Sequence, residues 1–385
     1  MKKISLHEPW FIGNEKKYLN KCINDNWVSS SGYFIDLLKN KIKKITKAKF
    51  VIPVLNGTIG LHTSMILSGV KKDDEVIVPT ITFIATVNAI KYVGASPIFM
   101  DVDRFLNIDE KKTLEFINKE TRFSNGKTYN KKTGKLIKAL VIVHTFGNAA
   151  NFEKLLNLCK KRKIKIIEDA AESLGTSYTK GKFKNKHTGT IGDFGVFSFN
   201  GNKIVTAGNG GIVVTNNKKD YLKANYLITQ AKDDSINFIH NNIGFNYKLS
   251  NVSAALGLAQ LEKINFFIKK KLNLRLRYIK KIKKFNCLEV MQAPKYSFNN
   301  NWMNLIRVLN NKNIKEIIKK LRLNYIEVRP VWHPNHLQKP FRKYQTYKIN
   351  NCQKYTKNLI CIPSSANLSN SQTDIIVKML FKCIK

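Results

Sequence analysis

Through the first two thirds of the chain, short apolar, β-branched runs alternate with longer stretches whose apolar positions recur at helical spacing. The runs are FVIPVLNG (50 to 57), DEVIVPT (74 to 80), SPIFMDV (96 to 102), KALVIVHTFG (138 to 147), KIKIIEDAAE (163 to 172) and FGVFSFN (194 to 200). Both alternating faces of these runs are apolar, as in strands covered on both sides, so they predict an α/β fold with a mainly parallel central sheet between helices. Near residue 255 the pattern changes to a long, lysine-rich helical stretch, LEKINFFIKKKLNLRLRYIKKIKKF, followed by shorter strands and helices. The expected organisation is a large domain over residues 1 to 254 and a smaller C-terminal α/β domain over 255 to 385. A helix at about 14 to 25 is expected to rest on the smaller one.

In such sheets ligands lie beyond the carboxyl ends of the strands. Here those ends carry Asn56-Gly57-Thr58, Pro79-Thr80, His144-Thr145-Phe146-Gly147, Glu168-Asp169 and Ser198-Phe199-Asn200. Their convergence on one edge builds a single site from separate segments. Between the two domains lies GFNYKLSNVSAALGLAQLE (244 to 262), where Asn251 is expected to cap a helix. The small residues Ala254, Ala255 and Gly257 allow another backbone to come close, which points to a subunit interface.

Composition changes this picture little. The net charge of +41 raises a polyanion as partner, but lysine dominates over arginine and is spread over the whole length. Nucleic-acid sites concentrate arginine and interleave aromatics, so the charge reads as solvated surface, and runs such as 269 to 277 and 280 to 284 as polar helix faces. No nucleic acid is expected. The six cysteines are far apart and form no CxxC pair, so neither a metal site nor a disulfide framework is expected. No apolar stretch approaches the ~20 residues of a membrane span, and the expected location is cytoplasmic.

One lysine stands apart. Lys203 follows the apolar run FGVFSF and precedes IVTAGNGG, so its stem should emerge inside the fold, where burial can leave the amine neutral and nucleophilic. Asp169 ends a very apolar strand, and a carboxylate there needs a cationic or hydrogen-bonding partner, unless it merely N-caps a helix over AAESLG. A Schiff-base lysine with an aspartate for a pyridinium nitrogen is what proteins supply to pyridoxal phosphate chemistry. Asn56-Gly57-Thr58, leading into a helix, and Ser198 offer donors for a phosphate.

LNGTIGLH, VPTITFIATVNAI, VIVHTFGNAANFEKL, IIEDAAESLGTSY, GDFGVFSFNGNKIVTAGNGGIVVTN, GFNYKLSNVSAALGLAQLE and RPVWHPNHLQ stand in the order and spacing of the DegT-type nucleotide-sugar aminotransferases. The chain resembles that family over essentially its whole length. The resemblance implies the fold type I architecture of pyridoxal phosphate enzymes, with Lys203 as the Schiff-base lysine, Asp169 at the pyridine nitrogen and Phe83 stacked on the ring. It places Gly57, Thr58 and Ser198 at the phosphate and Glu172 near the phenolic oxygen. It also implies a homodimer with shared active sites, in which Asn246 reaches the neighbouring subunit's phosphate. Lys248 stands where arginine is usual, and Asn209, Asn148 and Ala149 are further departures. Relatives with histidine in place of the lysine are dehydratases, so Lys203 implies transamination.

For the substrates, Lys248 is the candidate at the donor carboxylate pocket, and Trp27 and Ser29 in NWVSSSG and Arg329, Trp332, His333 and His336 in EVRPVWHPNH are the candidate contacts with sugar, base or diphosphate. The FNGNK and RPVW segments most resemble C4 aminotransferases of 4-keto-6-deoxy sugars on legionaminic-acid-like and perosamine-like routes. The expected substrates are glutamate and a nucleotide-linked keto-sugar, a UDP- or GDP-linked 4-keto-6-deoxy-N-acetylhexosamine being favoured over C3 amination of a dTDP-keto-sugar.

Overall fold

A computed structural model describes residues 3–310 and 313–384. Its main sheet has eight strands in the order Phe50–Val54, Gly211–Thr215, Phe194–Ser198, Lys165–Asp169, Ile137–Val143, Glu75–Pro79, Ser96–Met100 and Thr346–Tyr347. Pairing is parallel from Phe194–Ser198 to Thr346–Tyr347 and antiparallel at the other edge, where Gly211–Thr215 joins its two neighbours. All six apolar runs form strands, each ending at or next to its polar sequence. Neighbouring residues face opposite cores: Val76 and Val78 meet the helices Gly57–Leu67 and Ile84–Tyr92, while Ile77 meets Glu110–Lys119 and Glu153–Lys161. Burial on both faces explains their unbroken apolarity, each such side chain contributing about 1.5–3 kcal/mol.

A second sheet, Leu288–Val290, Asn304–Val308, Leu359–Ile362 and Arg329–Pro330, has its own core with the helices Ile264–Ile282, Ile314–Leu323 and Asn370–Ile384. The N-terminal segment joins this layer, Ile4 bridging to Ile326 and Ser364 N–H donating to the Leu6 carbonyl at 2.7 Å. The chain later returns to the main sheet through Thr346–Tyr347. The 254/255 division therefore does not separate the layers cleanly, and it falls inside the unbroken helix Asn251–Glu262.

That helix corrects two expectations. Ser250, not Asn251, is its cap, accepting from Ser253 N–H at 3.2 Å. Asn251 is buried in the first turn, where its side chain accepts from Phe34 N–H at 3.0 Å and donates to the Trp27 carbonyl at 2.8 Å. The small residues do admit a close neighbour, but it is in the same chain: a Cβ on Gly257 would lie 3.2 Å from Ala207 Cβ and 3.4 Å from Leu38 Cδ1. The helix Glu15–Asn24 also rests here, with Asn14 and Tyr18 both hydrogen-bonded to Glu262 at 2.8 Å. The run 269 to 277 is not wholly a polar face, because Lys271 is buried.

Candidate active site

At the carboxyl end of the main sheet, Lys203 sits in the turn after Phe194–Ser198, its N–H bonded to the Asn200 carbonyl at 3.0 Å. Its side chain is only 11% exposed, and the amine is 3.3 Å from Glu172 Oε1. Glu172 Oε2 accepts from Phe146 N–H at 2.8 Å. Burial pushes the Glu172 carboxyl up to about 7, opposed by the nearby Lys203 amine. The Lys203 amine thus has a buried carboxyl partner whose pKa burial raises.

Asp169 ends the strand Lys165–Asp169 and is buried. Thr86 donates its hydroxyl to Oδ2 at 2.6 Å and Ala171 N–H donates to Oδ1 at 3.2 Å. The second contact is a local turn, since no helix starts here. Among the described residues no lysine, arginine or histidine pairs with this carboxylate. A buried carboxylate held by a hydroxyl and an amide still lacks a counter-charge, which a protonated pyridine nitrogen would supply.

The strand-to-helix turn after Phe50–Val54 lies beside Ser198. Asn56 caps the helix Gly57–Leu67 by accepting from Ile59 N–H at 2.9 Å, leaving the first-turn N–H groups of Gly57 and Thr58 without intrahelical acceptors. A Cβ on Gly57 would approach Ser198 Cβ to 3.0 Å and Oγ to 3.3 Å, so glycine keeps the space between the helix end and the serine hydroxyl open. Helix N–H groups, a threonine hydroxyl and a serine hydroxyl are the donors that could cradle a phosphate. Pyridoxal phosphate fits these residues: the cradle, the uncompensated Asp169 carboxylate and the Lys203 amine offer one partner for each of its polar ends.

Phe83, immediately before the helix Ile84–Tyr92, is 55% exposed, and its ring lies 6.3 Å from that of Trp332. Trp332 stacks on Phe146 at 4.5 Å. Asn335 pins the 332 to 336 loop by donating to the Thr80 and Thr82 carbonyls, and His336 Nδ1 shares a 2.6 Å hydrogen bond with Thr80 Oγ1. Burial lowers the His336 pKa. The second layer thereby reaches the site.

Other expected substrate residues lie apart. Trp27 is 52% exposed, and the Ser29 carbonyl accepts from Asn251 N–H at 2.6 Å. Lys248 bridges to Val54 and lines a cleft of about 170 Å³ with Asp36 and Lys39. Arg329 is on the second sheet, paired with Glu327 at 3.0 Å. Asn246 is exposed beside Thr229. Four residues were not singled out from sequence: Thr86, Phe146, Trp302 and Lys271. Thr86 is buried in the first turn of the helix that Phe83 precedes. Phe146 has φ +55°, and the Trp302 indole ring lies 4.5 Å from Lys203 Nζ, with Nε1–H donated to the Asn202 carbonyl at 2.8 Å. Trp302 is distant in sequence from Lys203, Asn202 and Phe146, the site residues it touches.

The layered α/β architecture with this lysine, aspartate and phosphate cradle at the sheet end defines a transferase of the pyridoxal phosphate fold type I class. Residues 11–381 match the model of the DegT/DnrJ/EryC1/StrS aminotransferase family, and the chain belongs to that family. It is an aminotransferase. The GDP-perosamine synthase of Escherichia coli O157:H7 is 36% identical over 99% of this chain and 98% of its own. That of Vibrio cholerae is 33% identical over 99% and 98%. Helicobacter pylori PseC, an aminotransferase involved in the biosynthesis of pseudoaminic acid, shares the fold with a TM-score of 0.88 at 23% identity, covering 100% of this chain and 99% of that one. Among the described residues there is no cluster able to hold a metal ion and no helix long and apolar enough to cross a membrane.

Proposed function

We propose that this aminotransferase moves an amino group from glutamate to carbon 4 of a nucleotide-linked 4-keto-6-deoxy sugar, with pyridoxal phosphate as cofactor. The observation that carries this is Lys203 against Glu172, beside a buried Asp169 without a counter-charge. Bound there, the cofactor would supply an electron sink that lets an amino group and a proton exchange at the substrate carbon. Lys203 is placed to hold the cofactor's carbonyl carbon and, once displaced, to carry the proton to and from the substrate carbon through Nζ. Asp169, oriented by Thr86, would keep the ring nitrogen protonated. Gly57, Thr58 and Ser198 would bind the phosphate, Phe83 would pack against the ring, and Glu172 would hold the Lys203 amine in line.

We further assign the sugar nucleotide to the rim formed by Trp332 and His336, which Arg329 would join from the second sheet, with Trp27, Ser29 and Lys248 contributed where two subunits meet. Ile236, Phe238 and Ile243, just before Asn246, are 84%, 70% and 88% exposed, an apolar segment that a second copy would cover while Asn246 enters that copy's phosphate site. The relatives named GDP-perosamine synthases favour a GDP-linked substrate. Turnover with GDP-, UDP- and dTDP-keto-sugars plus glutamate, with the amino position read by NMR, tests the assignment: amination at C4 of the GDP sugar is expected. Amination at C3, or no turnover of any keto-sugar, overturns it.

A further inference from the structure

Lys271 lies midway along the helix Ile264–Ile282 and is 1% exposed. Among the described residues no carboxylate pairs with it. Its Nζ instead meets three segments at once: His7 Nε2 at 2.8 Å, the Trp302 carbonyl at 3.1 Å and the Ser364 carbonyl at 2.5 Å. Burial lowers this amine to about 7. Both of its forms keep all three partners. The ammonium donates three hydrogen bonds, and the neutral amine donates two to the carbonyls and accepts one from His7 Nε2–H. A methionine would fill similar space without the desolvation cost, so what the amine adds is the three-way tie.

Trp302 connects that tie to Lys203. Lys271 holds its backbone carbonyl, and Asn300 Oδ1 accepts from its N–H at 3.0 Å. Beyond the ring, the indole N–H fixes the carbonyl of Asn202, the residue before Lys203, and the ring face lies under the Lys203 amine. The same ring lies nearly parallel to Phe146 at 6.2 Å, and Phe146 N–H holds Glu172. One buried amine therefore stands behind both the lysine turn and its carboxyl partner.

We propose that Lys271 is a positioning residue for Lys203: by tying His7, Trp302 and Ser364 together it holds the indole against the lysine turn and so sets the direction and exposure of the Lys203 amine. Its importance for catalysis rests on the role proposed for Lys203, but its effect on the amine does not. The test therefore uses cofactor-free protein. The rate at which a small acylating reagent labels Lys203 is read by peptide mass spectrometry against exposed Lys180, at one fixed pH, with the melting temperature recorded alongside. Lys271→Met is expected to raise Lys203 labelling about tenfold and to lower kcat of the cofactor-loaded enzyme by a similar factor with little change in KM, as expected for small misplacement of a reacting group. Lys271→Arg restores most of both. Trp302→Phe, which keeps a ring but loses the N–H held by Asn202, shifts labelling in the same direction, and it carries the test should Lys271→Met not fold. Wild-type Lys203 labelling in folded Lys271→Met, or in Trp302→Phe where that variant stands alone, overturns the proposal and leaves Lys271 a stability residue. If labelling shifts as expected but Lys203→Ala retains activity, the positioning stands and the role of Lys203 falls.

Discussion

At the residue scale the site is a set of buried charges, each held by a group chosen for its neighbours. Thr86 is the only side chain hydrogen-bonded to Asp169 among the described residues. Hydrogen bonds to a charged group contribute about 1.5–3 kcal/mol, so Thr86→Val should lower kcat/KM roughly tenfold or more, measured by steady-state kinetics, while Thr86→Ser retains most activity. Glu172 sets a pH dependence whose sign follows from its raised pKa. Between its ordinary 4.5 and about 7 the folded chain holds a proton that the unfolded chain has released, so this group's contribution to stability declines as pH rises through that window. Glu172→Gln should flatten the slope of melting temperature against pH there, in the cofactor-free protein. An unchanged slope would mean that Glu172 does not titrate as its burial implies.

At the scale of elements, the strands were legible because sheet burial on both faces makes the runs almost wholly apolar, and the polar strand ends marked the site. Gly211–Thr215 went unmarked: as an antiparallel insertion between two expected strands it has no helix before it to set it off. The small-residue helix was legible as a close contact but not as an intrachain one, because sequence shows that a backbone approaches and not whose it is. Residues far apart in the chain, Trp302, Lys271 and His7, left no local signal at all. Lys271 was hidden among lysines that face solvent. The phosphate cradle depends on one helix entry. Gly57→Ala should bring a methyl to 3.0 Å from Ser198 Cβ and weaken pyridoxal phosphate binding about tenfold, some 1.4 kcal/mol, by spectroscopic titration. Phosphate-free pyridoxal should bind the variant and the wild type alike.

At the scale of the whole molecule, two layers meet over one sheet edge, and the loop carrying Trp332 and His336 is pinned to the Thr80–Thr82 segment rather than to its own sheet. The resemblance in sequence implies a dimer, and the exposed Ile236, Phe238 and Ile243 are where the proposed second copy would sit. On that proposal Phe238→Asp with Ile243→Asp should yield a monomer by light scattering where the wild type is a dimer, and remove most activity, because Asn246 would no longer complete a neighbouring phosphate site. A fully active monomer would refute shared sites. On the proposed function, one lysine among dozens holds the cofactor. Incubation with pyridoxal phosphate, reduction with borohydride and peptide mapping by mass spectrometry should find a single stoichiometric adduct on Lys203, absent from Lys203→Ala. An adduct at another lysine, or none at all, would contradict the account.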